Sequence, residues 1–143
     1  MIAREPVFAA LFALLQSAAA FTTSSRRLVN VQDLPAEAFP AAYQLQGKQV
    51  VKKAVITPPI YEMEATWIIY ALSNDPNIAP STVLNPLVDA VLTILLPGPL
   101  SNALTLGGLV IQCAVAGDID IFEGVLGDRA VAVIPLQIIA PGF

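Results

Sequence analysis

Residues 61–72 read YEMEATWIIYAL, and their alternation decides the fold. Tyr61, Met63, Ala65, Trp67, Ile69 and Ala71 fall on one side of an extended chain, as period-two spacing requires. The other side begins polar, with Glu62, Glu64 and Thr66, and turns apolar at Ile68, Tyr70 and Leu72. A strand of this kind predicts a core on one face along its whole length. At its far end it predicts a second cover, such as a neighbouring subunit, over Ile68, Tyr70 and Leu72.

Working back toward the N-terminus, Gly47 to Pro59 carries Lys48, Lys52, Lys53 and the Pro58-Pro59 pair. This stretch predicts a projecting loop or hairpin arm at about 47–59. Before it, Ala41, Tyr43 and Leu45 alternate with Ala42, Gln44 and Gln46, which predicts a half-buried strand. Gln32 to Pro40 reads as a loop around Pro35 and Pro40, and Arg26 to Val31 as a short strand. Glu5 to Ala18 predicts a helix, with Phe8, Leu11, Phe12 and Leu15 on one stripe.

Working forward, SNDPNIAP at 73–80 is dense in turn formers. Leu84, Leu87, Val88, Val91, Leu92 and Leu95 then follow helical spacing to about Leu96. Either Ser81 caps this helix or Asn85 does, with Pro86 at the first helical position. Pro97-Gly98-Pro99 stops it. Leu109 to Phe122 and Ala130 to Ile139 predict a hairpin, with EGVLGDR at 123–129 as its turn region. Pro135 lacks an N–H, so its strand belongs at an edge or at a bulge. An edge this apolar calls for a covering partner.

The order is therefore α-β-β-β-α-β-β. It predicts a single α+β domain over 1–143, a mainly antiparallel sheet of four to five strands with two helices packed on one face.

Composition restricts function more than it restricts fold. Hydrophobic residues make up 56% of the 143 positions and charged residues 13%, against about 25% charged in ordinary soluble domains. A chain this small has too much surface to hide all of that apolar material. Some of it must meet another protein or lipid. The net charge of −4 and the scatter of basic residues argue against tight binding to free nucleic acid. DNA enters the reading only as something passing nearby.

Several chemistries lose their usual residues. The chain has no His, so the commonest general base and metal ligand is missing. Cys113 is a single thiol in an apolar run and reads as a small buried hydrophobe. Gly107-Gly108 matches neither phosphate-loop pattern, and no GxSxG elbow occurs. Asp118 and Asp120 share one strand face near Glu123 and Asp128. They read as a solvated hairpin tip ahead of a Mg²⁺ or Ca²⁺ site. Glu62 and Glu64 are a carboxylate pair without the aromatic cleft of a glycosidase. No catalytic, cofactor or metal residue is assigned.

The opening MIAREPVFAALFALLQSAAAFTT imitates a secretory signal, with Arg4, an apolar stretch and a run of small residues. Glu5-Pro6 fits a helix start better, since Pro suits the first turn and an acid complements the dipole there. The alternative is a secreted or envelope-associated binding module. Val83 to Leu96 is too short for a span of about 20 residues and contains Asn85, Pro86 and Asp89, so no membrane segment is predicted.

Four stretches carry a family resemblance: LFALLQ at 11–16, SRRLVNVQDLPAEAFPAAYQLQG at 25–47, DPNIAPSTVLNPLVDAVLTILLP at 75–97 and LGGLVIQCAVAGDIDIFEGVLGDRAVAVIPLQI at 106–138. Together they cover nearly the whole chain, which resembles the tail terminator, or tail completion, proteins of tailed bacteriophages, the minor tail protein U type. The resemblance implies a structural virion protein with no catalytic residues and no cofactor. It implies a homo-oligomeric ring, hexameric in the family, that ends tail-tube polymerisation. Its partners would be the tail tube protein and the head–tail connector or stopper protein, with DNA passing through the lumen. It would sit in the virion tail or neck, and in the host cytoplasm during assembly, with no membrane contact. Another connector protein of the same virion is the alternative role. The interface positions singled out are Lys48, Lys52, Lys53, Ile68, Tyr70, Leu72 and Pro135.

Overall fold

The computed structural model describes residues 3–52, 59–98, 103–124 and 127–142. Its elements are α1 (Arg4–Ala18), β1 (Thr23–Ser25), a 3₁₀ turn (Ala36–Ala38), β2 (Ala41–Lys52), β3 (Ile60–Leu72), α2 (Pro80–Ile94), β4 (Gln112–Val115), β5 (Asp120–Phe122) and β6 (Arg129–Pro141). The six strands form one sheet in the order β1-β2-β3-β6-β4, with β5 also paired to β6. All pairings are antiparallel except β1 with β2. Both helices lie on one face, as the sequence predicts.

β3 is the spine of that sheet. Met63, Ala65, Trp67, Ile69 and Ala71 are all buried toward the helices, and β6 answers with Ala130, Ala132, Ile134, Leu136, Ile138 and Ala140. From α1 come Val7, Phe8, Leu11 and Leu15, and from α2 Leu84, Val88 and Val91. The predicted α1 stripe holds, with Phe12 only partly buried and Val7 taking its place in the centre. Near-complete burial of Trp67, Phe8, Leu11 and Leu15 makes this layer the main source of hydrophobic stabilisation.

β2 corrects its predicted polarity. Ala42 and Gln44 face the helices, while Ala41 and Tyr43 face the other way, and all four are buried. Gln44 survives in the core because its amide is satisfied. Trp67 Nε1–H donates to Gln44 Oε1 at 3.0 Å, and Gln44 Nε2–H donates to the Phe8 carbonyl at 2.9 Å. A buried amide with both ends paired costs little and fixes how β2, β3 and α1 meet.

The remaining differences have local causes. The short strand falls at Thr23–Ser25 and not at 26–31, because Thr22 and Thr23 N–H groups and side chains bond back to residues 38–40. α2 begins earlier than either predicted cap. Pro80 takes the first helical position after Ala79, and neither Ser81 nor Asn85 caps it by a side chain. Glu123, at the end of β5, does so from across the fold, accepting the Ser81 N–H at 2.6 Å. A carboxylate at a helix N-terminus also complements the dipole there. Pro86 lies inside the helix on its exposed side.

The predicted outgoing hairpin strand is two strands, interrupted at 116–119 where Gly117 takes φ 107°. Pro135 explains the break. β6 is not an edge strand, since β3 pairs with it on one side and β4 and β5 on the other. Between Leu136, paired with Val115, and Val133, paired with Asp120, the ladder is open, and Pro135 sits in that gap. Its carbonyl still accepts the Ala116 N–H at 3.0 Å. The interruption lets an imino acid occupy an interior strand. The described part of the 47–59 stretch also stays within the sheet: after a bulge between Gln46 and Gln49, β2 pairs with β3 to Lys52 and Ile60. Lys53 and the tip of that stretch lie outside the described residues.

Candidate functional site

The face of the sheet turned away from the helices has two halves. In one, residues 28–39 fold across it as a strap. Val31 and Leu34 from the strap bury against Ala41, Tyr43, Tyr70 and Val131, with Phe39, Ile68 and Val133 packed around them. Arg129 fastens the strap: its guanidinium donates to the Val31 carbonyl and lies 5.0 Å over the Phe39 ring. Tyr70 Oη donates to the Val29 carbonyl at 2.8 Å. Tyr43 and Tyr70 rings stand 5.2 Å apart. Burial pushes both phenols above the ordinary tyrosine value, and for Tyr70 the neighbouring Tyr43 adds to it.

The strap does not close the face. Between it and β5 lies an open groove of about 560 Å³, lined by Leu28, Asn30, Val31, Ile68, Tyr70, Ile121, Phe122, Glu123, Val131 and Val133. Leu28, Ile121 and Phe122 stand on its rim at 43, 45 and 51% exposure. Among the described lining residues, Glu123 is the one ionisable group apart from the Tyr70 phenol. The groove has the apolar character of a protein-contact surface, and its described lining holds no constellation that does covalent chemistry.

The singled-out residues separate into two places. Ile68 and Tyr70 line the groove. Leu72, half-buried, continues the same strand face beyond it. The cover predicted for these three comes in part from the chain's own strap. Pro135 is on the same face in the gap between β4 and β5, and borders a smaller depression with Glu64 and Thr66. Lys48 and Lys52 lie at the opposite end of the sheet, where Lys52 Nζ is 2.9 Å from Glu62 and Lys48 Nζ 4.0 Å from Glu64. The Glu62–Glu64 pair thus has lysine partners. Lys53 lies outside the described residues.

The other candidate groups have plain surroundings. Asp118 and Asp120 are exposed, and no three His, Cys, Asp or Glu side chains gather in metal-binding proximity among the described residues. Cys113 is buried in the helix-side core, and burial pushes its thiol up to about 12. Thiolate chemistry is suppressed at such a site. No described helix is long and apolar enough to cross a membrane. Sequence reading missed the groove itself. Its rim comes from Leu28, in an aperiodic segment, and Phe122, at the end of the short strand β5, which no single period connects.

Fold and surface together define an α+β domain with a helix-covered face and a half-open apolar face. Neither a family model nor a curated protein matches the chain by sequence. Among solved structures it is similar to a chain of the "Virion of native gene transfer agent (GTA) particle", at 11% identity and a TM-score of 0.53. The match covers 95% of this chain and 92% of that one. At that identity the likeness is one of fold.

Proposed function

We propose that this chain is a structural, non-catalytic subunit of a phage-like virion. In that role it closes into a ring, hexameric as in the tail terminators it resembles, that ends tail-tube growth and joins the tail to the head connector. The observation that carries the reading is the open apolar groove on the face away from the helices. It is the kind of surface that subunit packing removes from water. Two further points support it. The fold overlays a chain of a virion structure along almost its full length, and the low charge content leaves apolar surface in excess of what one small core can hide. Ile68, Tyr70 and Leu72 on the groove face, Pro135 beside the β4–β5 gap, and Lys48 and Lys52 at the far end are the proposed contact positions, together with Lys53, which lies outside the described residues.

Mass photometry and negative-stain imaging test this on the purified chain, alone and mixed with the tail-tube and connector proteins of its virion. Rings that cap tubes are the expected result. A chain that stays monomeric in every mixture overturns the reading. Rings that bind the connector and leave tubes uncapped move the role to another neck position.

A further inference from the structure

Resting on the ring reading above, the geometry points to a specific contact. We propose that the outer end of β2, at Val50 and Val51, packs into the strap–β5 groove of the next copy, head to tail around the ring.

Among the described residues, apolar side chains are exposed at several places, Leu96, Leu109 and Ile111 included, but two such surfaces lie beside charges of opposite sign. One is the groove, with Leu28 and Phe122 on its rim. The other is the end of β2, where Val50 and Val51 point to opposite faces and are 44 and 49% exposed. The same chain cannot join them. Val51 pairs with Tyr61 and the groove is floored by Ile68 and Tyr70, so the two lie at opposite ends of β3. Nine residue steps along the strand separate Tyr61 from Tyr70, roughly 30 Å at about 3.3 Å per step. Both positions are held in continuous ladder with β6 alongside. A second copy therefore supplies the occupant.

Charge selects the direction of the contact. The β5 side of the groove carries Glu123 in the lining and Asp120, which pairs with Val133 and so shares the groove's face. Asp118 and Asp120 have no cationic partner among the described residues. The end of β2 carries Lys48 and Lys52, whose side chains remain 75 and 63% exposed beside their glutamates. Groove against groove sets carboxylate against carboxylate. The end of β2 against the groove sets lysine beside acid. A contact between two different surfaces at opposite ends of a chain repeats from copy to copy, and closes where the rotation allows.

Paired cysteines read this directly. In a Val51→Cys/Phe122→Cys double variant, mild oxidation should give a non-reducing ladder of multimers up to the ring size. Each single variant should give none, because native Cys113 is buried. In parallel, Lys52→Glu and Asp120→Lys should each reduce the ring fraction at least about tenfold at low salt, and the combination should restore most of it. Rings that form without the ladder and without restoration overturn the contact and leave the ring reading standing. A ladder that stops at dimers marks a two-fold contact and also overturns it. Failure to form rings in any mixture overturns both.

Discussion

The two faces of the sheet are built from the same strands and differ in what covers them. On the helix side, β3 and β6 meet two helices whose stripes are matched to them, and every position from Met63 to Ala71 on that face is buried. On the other side, the same strands meet a strap of twelve aperiodic residues, 28–39, that covers Tyr43 and most of Tyr70 and then leaves Ile68 and Val133 beside an open groove. The helix side holds the fold together. The strap side is closed only as far as the chain's own residues reach. Stability and assembly should therefore separate when the two faces are altered.

The largest effect belongs to Trp67. It is fully buried at the centre of the helix-side layer. Trp67→Ala should cost about 4 kcal/mol, the usual range for removing a large aromatic from a core, read as a lower urea midpoint. Gln44 comes next. Gln44→Leu keeps the volume but leaves the Trp67 N–H without its acceptor, while the Phe8 carbonyl keeps the helical bond it accepts within α1. A loss of about 2 kcal/mol is expected from the orphaned indole N–H. A neutral result would mean that the amide bridge does not fasten β2 and β3 to α1.

The strap side gives smaller numbers and a sharper contrast. Tyr70→Phe removes the hydroxyl that donates to Val29 and should cost about 1 kcal/mol. Tyr43 Oη is buried without a hydrogen-bond partner among the described residues, so Tyr43→Phe should be neutral or stabilising by urea unfolding. A cost at Tyr43 equal to that at Tyr70 would show that its hydroxyl is satisfied in solution.

The same contrast explains what could be read in advance. Periodic segments announce themselves: the α1 and α2 stripes and the alternation of YEMEATWIIYAL follow from geometry that repeats every 3.6 or 2 residues. Gln44 escapes the pattern because polarity alone marks a solvent face, whereas an amide paired at both ends is at home in a core. Pro135 pointed correctly to a disrupted ladder. It could not say that the disruption lies in the neighbour, between β4 and β5, and not at a sheet edge. The strap carries Leu28, Val31, Leu34 and Phe39 at no fixed interval, so its packing depends on partners distant in sequence: Arg129, Tyr70 and Val131. The groove inherits that invisibility, being the space such a segment leaves uncovered.

Phe122 should show the smallest change in stability. Its ring is half exposed on the groove rim and anchors no buried hydrogen bond. Phe122→Ser therefore removes little buried area from the isolated chain, and its unfolding midpoint should move by no more than about 0.5 kcal/mol in free-energy terms. If the groove is a subunit contact, the ring of Phe122 becomes buried between copies, the same substitution replaces an apolar anchor with a hydroxyl, and aromatics desolvated within a contact tend to dominate its energy. Ring formation by mass photometry should then fall well out of proportion to the stability change. Equal losses in both measurements would place Phe122 with Trp67, as part of what holds the domain together, and would remove the distinction between the faces.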